Sequence, residues 1–297
     1  MKLHHLQEVV AIAEHGSIRA AARALNLAQP ALTRSLADLE RELGVPLFER
    51  HARGVVATSA GTAVVGRATA ILEDLRRARE EVAQLRGATG GTVAAGLSTA
   101  AHIGLLPPAL RPFRARYPDT QLQIIEGLYP TLEPLFRTGV LDFYIGPDPG
   151  SPLPPGLAGE VLGPGNRVVL CRKGHPLAGA RSLADLVGAD WITTSVTADA
   201  ADEMGRLFDA HGLPPPRLAV RSRSALTVMT CLAHSDLLAM VPRGWTRFAL
   251  TREALIPVEV AEELAAPAIM LIRRHDLPLT PAATHLLDLM RRAIGRL

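Results

Sequence analysis

Gln29, Pro30, Thr33 and Arg34 lie in the stretch "NLAQPALTRSLADLERELG" among four leucines, Leu32, Leu36, Leu39 and Leu43. The leucines recur at spacings of four, three and four, the period of one stripe of an amphipathic helix. Gln29, Thr33 and Arg34 then share the opposite face. An amide, a hydroxyl and a guanidinium on one helix face are groups that read base edges. Arg pairs with guanine, Gln with adenine, and Thr meets a thymine methyl or a phosphate. The same side chains would serve equally as the solvated face of an ordinary helix, and periodicity alone does not separate the two. Further along, "VPLFERHARGVVATSAG" reads as two short strands with a turn at Arg53 and Gly54. That is a wing carrying Arg50, His51 and Arg53 beside the polar helix face.

Three helices must position these groups. The first covers Leu3 to His15 and ends at Gly16, as helices often do. Ser17 caps the second, "SIRAAARAL", which buries Ile18, Ala21, Ala22 and Leu25. Asn26 and Leu27 turn the chain into the third, which starts at Gln29. Pro30 fits there because a first-turn N–H has no helical partner to lose. Two helices joined by a tight turn and followed by a wing describe a winged helix-turn-helix. Double-stranded DNA is the expected partner, with Gln29, Pro30, Thr33, Arg34, Arg50 and Arg53 as the binding residues. Residues 1–58 hold seven Lys/Arg against six Asp/Glu, so positive charge must be concentrated on the wing and the third helix.

The segment "GSIRAAARALNLAQPALTRSLADLERELGVPLFERHARGVVATSAG" resembles the winged helix-turn-helix of LysR-type transcriptional regulators. The shared pattern is a polar cap, two alanines, a leucine, "QPAL", then "LE", "LG", "LF" and an arginine. Ala28 and Thr33 each stand where the family usually has serine. Thr33 keeps the hydroxyl; Ala28 loses a helix cap, typically costing about 1 kcal/mol.

From Thr58 to Arg86 no proline interrupts the chain, and Val64, Ala68, Ile71, Leu75, Ala78, Val82 and Leu85 form a heptad seam. Such a narrow stripe suits pairing with a second long helix, and paired modules read two half-sites. The glycines of "RGATGGT" then suggest a hinge at residues 87–91. The expected organisation is a DNA-binding domain at 1–58, a dimerisation helix and hinge at 59–91, and an effector-binding domain at 92–297. The resemblance implies a homotetramer in a bacterial cytoplasm, with RNA polymerase as a further partner.

Beyond residue 91, strand-like and helix-like stretches alternate, which predicts an α/β unit with mainly parallel sheets. It divides into lobe 1, residues 92–162 and 267–297, and lobe 2, residues 163–266. "GVLDFYIG" and "KGHPLAG" resemble stretches of the LysR effector domain, whose lobes are similar to periplasmic solute-binding proteins. "AHSDLLAMVPR" and "RRHDLPLTPAA" resemble regulators of aromatic sulfonate breakdown. Ligands of open α/β sheets bind where strands end and helices begin. In lobe 1 these points are Ser98, Thr99, Ala100 and His102, with Tyr129 and Thr131. In lobe 2 they are Thr194 and Ser195, with Val241 and Pro242. Hydroxyls and helix-start amides favour a small organic anion, an aromatic carboxylate or sulfonate first. The same Ser and Thr residues would also serve as plain helix caps.

Composition narrows the alternatives. Hydrophobic residues make up 48% of the 297, which excludes wholesale disorder. No GxSxG, HExxH or P-loop occurs, so no catalytic residue, cofactor or metal site is expected. Cys171 and Cys231 form no CxxC and read as reduced, structural thiols. The N-terminal segment is no signal peptide, because Glu8 and Glu14 interrupt its apolar run.

Overall fold

The computed structural model describes residues 1–51, 54–193 and 198–296. The chain opens with α1 (Leu3–His15), α2 (Ile18–Ala24) and α3 (Gln29–Leu43). The wing follows as β1 (Phe48–His51) and β2 (Gly54–Ala57), antiparallel, with Phe48 opposite Ala57. Leu6, Val9, Ala21, Leu32 and Leu39 close one core, as the helical spacing predicts, together with Ile12, while Leu43 at the end of the leucine stripe is exposed. The long helix α4 (Ser59–Leu85) belongs to this core at its start, through Val64, Val65, Ala68 and Leu72. Two residues of the expected seam, Val64 and Ala68, are therefore covered within the chain. Ile71, Ala78, Val82 and Leu85 remain exposed, as an unpaired seam would be.

The second unit begins with β3 (Gly91–Leu97), α5 (Thr99–Gly104), α6 (Leu106–Arg116) and β4 (Thr120–Glu126). It continues with α7 (Tyr129–Arg137), β5 (Phe143–Pro147) and the long β6 (Leu157–Arg172). Lobe 2 holds β7 (Asp190–Thr193), α8 (Ala198–Ala210), β8 (Arg217–Arg221), α9 (Ala225–Ala233), β9 (Leu237–Pro242) and β10 (Leu255–Val258). The return is β11 (Ala265–Arg274), then α10 (Pro281–Arg292). The strands run β4-β3-β5-β11-β6-β9-β7-β8, with β10 on β6.

Three features differ from expectation. The sheet is mixed. β3 pairs in parallel with β4 and β5, and β7 with β8 and β9, while β6, β10 and β11 pair antiparallel. The cause is the crossing between lobes: β6 leaves lobe 1 and β11 returns to it side by side, so the lobes are joined by two paired strands. The helix-like stretch "HIGLLPPALRPFRARYP", a single helix by its sequence, is two helices, broken at Leu105, with proline in the first turn of the second. β10 was not foreseen; it has four residues, one of them Pro257.

Candidate nucleic-acid interface and effector cleft

Helix α3 is fixed by polar contacts as well as by its leucines. Ser17 caps α2 by accepting the Ala20 N–H, and Asn26 takes the left-handed turn at φ 55° that leads into α3. Asn26 therefore turns the chain and does not replace the missing cap. Ala28 holds the extended N-cap conformation with no side-chain hydrogen bond. Inside the domain, Glu8 of α1 is buried and accepts the Ser35 hydroxyl of α3. Glu40, the acid of the "LE" pair, accepts the backbone N–H of Leu47 at 2.7 Å and of Phe48 at 3.3 Å. One carboxylate thus ties the recognition helix to the first wing strand. The wing meets the α1–α2 turn through the Val55 N–H, which donates to the Gly16 carbonyl at 2.9 Å. Gly54, at φ 135°, permits this approach: a Cβ there would overlap the Gly16 carbonyl oxygen. Gly61 does the same for α4 against the Leu47 carbonyl.

These constraints bring Gln29, Pro30, Thr33, Arg34 and Arg50 to one open groove between α2, α3 and the wing. Gln29, Pro30, Arg34 and Arg50 are exposed and Thr33 is half-buried. Arg53 lies outside the described residues. Arg19, which sequence reasoning passed over, lines the same groove. Its signal was position: it follows Ser17 by two residues at the start of α2. Among the described residues Arg19, Arg34 and Arg50 have no ion-pair partner. Three uncompensated guanidiniums around an amide and a hydroxyl suit a phosphate-lined groove with readable base edges.

The residues expected to bind an effector are brought together less completely. In lobe 1, Ser98 and Tyr129 stand at strand ends and are buried. Ser98 caps α5 with a long 3.4 Å bond from the Ala101 N–H, and His102 Nδ1 lies 3.4 Å from the Ser98 carbonyl. The Thr99 hydroxyl donates to Glu126 at 2.6 Å, and the Thr131 hydroxyl to the Leu128 carbonyl at 2.8 Å. Both hydroxyls are thus already engaged. Ala100 is buried, and the Tyr129 ring packs in the lobe 1 core beside Tyr144. In lobe 2, Val241 belongs to the core, Pro242 is half-buried at its edge, and Thr194 and Ser195 lie outside the described residues. The lobes meet where α5 packs on a short 3-10 helix, Arg243–Arg247, with Ile103 against the lobe 2 core. Three buried donors in the lobe cores have no side-chain hydrogen-bond partner: the Tyr129 and Tyr144 hydroxyls and the Trp245 indole N–H, with the Tyr129 backbone acting on the Tyr144 oxygen. Burial pushes both phenols above their ordinary range, so both stay protonated as donors. Tyr144 was not foreseen. Its hydroxyl reaches under Gly146, beside the Ser98 Cβ.

No grouping of His, Cys, Asp and Glu among the described residues is arranged to hold a metal, and no described helix is long and apolar enough to cross a membrane. Cys171 is fully buried, and burial pushes its thiol up to about 11, which disfavours the reactive thiolate.

Comparisons with known proteins agree with this layout. Residues 3–62 match the family described as "Bacterial regulatory helix-turn-helix protein, lysR family", and residues 86–295 match "LysR substrate binding domain". The chain is 31% identical over 296 residues to the transcriptional regulator GbpR of Azospirillum brasilense, covering 99% of this chain and 86% of that protein. It is 31% identical over 287 residues to the SDS degradation transcriptional activation protein of a Pseudomonas species, covering 95% and 92%. Among solved structures, full-length CbnR with its target DNA superposes with a TM-score of 0.71 at 23% identity, covering 99% of this chain and 100% of that one. Full-length OxyR C199D from Pseudomonas aeruginosa gives 0.72 at 22%, covering 99% and 95%.

Proposed function

The chain belongs to the LysR family of DNA-binding transcriptional regulators, proteins with an effector-binding domain and not enzymes, and on that premise we propose which residues read DNA and what the effector is. Gln29, Thr33 and Arg34 contact base edges in the major groove. Arg19, Arg50 and Arg53 contact phosphates or the adjoining minor groove, and Pro30 sets the angle of entry. The observation that carries this reading is the shared groove, in which Arg19, Gln29, Thr33, Arg34 and Arg50 converge without charge partners among the described residues. Ile71, Ala78, Val82 and Leu85 pair with the same helix of a second chain. Effector domains supply a further contact to give a tetramer, and RNA polymerase is engaged from the assembled complex in the cytoplasm.

The effector is a small organic anion held between the lobes, with an aromatic carboxylate or sulfonate first. Support comes from buried donors in the cores of the two lobes that meet there. Tyr129 and Tyr144 in lobe 1 and Trp245 in lobe 2 offer hydrogens, and an indole N–H can only donate. A ligand rich in acceptor oxygens suits such donors. One relative is named for degradation of SDS, itself an organic anion. Glu126 beside Thr99 limits where the negative group can sit and directs it toward Ser98 and Tyr144. Calorimetry of the full chain with 4-toluenesulfonate and benzoate, wild type against Ser98→Ala, tests this reading. Binding that weakens about tenfold in the variant supports it; an acid bound equally by both proteins places the site elsewhere.

A further inference from the structure

Glu8 is a buried carboxylate with a neutral partner. It is 5% exposed and lies on the side of α1 that carries Leu6, Val9 and Ile12 into the core. Among the described residues no Lys or Arg pairs with it, and its hydrogen bond comes from the Ser35 hydroxyl of α3. His5, one turn earlier on α1, is also buried. Burial first, and His4 beside it, hold the His5 ring below its ordinary range, so at neutral pH it is uncharged and supplies no countercharge. A charge buried without a countercharge is costly. Replacing both partners of such a bond by apolar groups is often neutral or stabilising. The stability of the fold therefore does not explain the pair.

Its place does explain it. α1 packs on both α3 and α4 within one core. Among the described residues, the Ser35–Glu8 bond is the side-chain hydrogen bond that joins α1 to α3. Ser35 directly follows Arg34 and stands two residues after Thr33. Leu32, Leu36 and Leu39 hold α3 by apolar contact, which is non-directional and leaves rotation about the helix axis soft. Glu40 fixes the far end of the helix through the wing. A rotation of about 10° on a radius of about 6 Å moves a side-chain tip by about 1 Å. Hydrogen bonds to a base edge do not survive such a shift. Neither Glu8 nor Ser35 lines the groove that holds Arg19, Gln29, Thr33, Arg34 and Arg50, so the pair acts on DNA only through the helix it orients.

We propose that Glu8 is a positioning residue for base recognition: by holding the Ser35 hydroxyl it fixes the rotation of α3, and with it the aim of Thr33 and Arg34. The proposal rests on the reading of α3 as the helix that meets base edges. Apolar packing keeps the helix in place, and the directional bond selects one rotation among those that packing allows. The pair gives up stability and gains specificity.

The test compares local stability with base discrimination in the full-length chain. Discrimination is the ratio of affinities for the preferred duplex, selected from a random pool, and for its single-base variants. Both tryptophans, Trp191 and Trp245, lie in lobe 2 and do not report on the DNA-binding unit. Stability is therefore read as amide-exchange protection of peptides from α1 and α3, by mass spectrometry. Glu8→Met with Ser35→Ala replaces the bond by apolar groups of similar size. Protection should stay equal or rise, while discrimination falls about tenfold and affinity for unrelated duplex holds within about twofold. Glu8→Gln keeps an acceptor for Ser35 and should keep discrimination within about twofold of wild type. Arg34→Ala tests the reading on which the proposal rests: unchanged discrimination there overturns base recognition by α3, and the proposal with it. Where Arg34→Ala lowers discrimination, a double variant that keeps the wild-type ratio overturns the proposal alone. A double variant that loses protection or fails to fold does the same, because the bond then serves the fold.

Discussion

The Glu40 carboxylate accepts the Leu47 backbone N–H at 2.7 Å, across the turn from recognition helix to wing. A charged acceptor serving a buried strand start is worth about 1.5–3 kcal/mol. Glu40→Ala should therefore lower domain stability by about 2 kcal/mol, with Glu40→Gln recovering much of it, as read by denaturant unfolding. Because Arg50 rides on the same strand, affinity for DNA should fall with the alanine variant as well.

Ala28 occupies an N-cap with suitable backbone, φ −70° and ψ 133°, and offers no acceptor. Ala28→Ser supplies one. Chemical denaturation should show a gain of about 1 kcal/mol, since Ser and Ala differ by that much at N-caps. No gain would mean that the α3 amides are already satisfied by solvent or by a neighbouring group.

The acid side of the stability curve should depend on lobe 2. The backbone N–H groups of Arg181 and Ser182 hold the Asp185 carboxyl below its ordinary range, and Arg243 does the same for Glu259. Folded values below unfolded ones mean stability that is present above the ordinary carboxylate range of about 4 and lost as pH falls through it. Asp185→Asn should lower the melting temperature at neutral pH and flatten its fall between about pH 5 and pH 3. An equally steep fall in the variant would assign the acid sensitivity to other groups.

Much of the DNA-binding unit is legible in the sequence because its determinants are local. Leu32, Leu36 and Leu39 mark their face by period, Ser17 marks a helix start, and Gly16 marks an end. What escapes is the partner at long range. Glu8 reads as a solvated acid in α1 until Ser35 is brought against it. Arg77 and Gln84 stand outside the heptad seam, and nothing near them in the sequence reveals Asp142 or Ala282 as their partners. At lobe 1 the strand ends are foreseeable, but the spending of the Thr131 hydroxyl on the Leu128 carbonyl and the burial of the Tyr144 hydroxyl beside Gly146 are not. Both depend on rotamers set by packing rather than on residue type.

The central claim is that α3 reads base sequence through the groove that holds Arg34. The most direct measurement selects duplexes from a random pool with the wild-type chain and then titrates the preferred duplex, and its single-base variants, with wild type and Arg34→Ala. The account predicts a loss of about 1–3 kcal/mol for Arg34→Ala on the preferred duplex, with base preference relaxed at one position and kept at the others. Unchanged affinity together with unchanged preference at every position would contradict it.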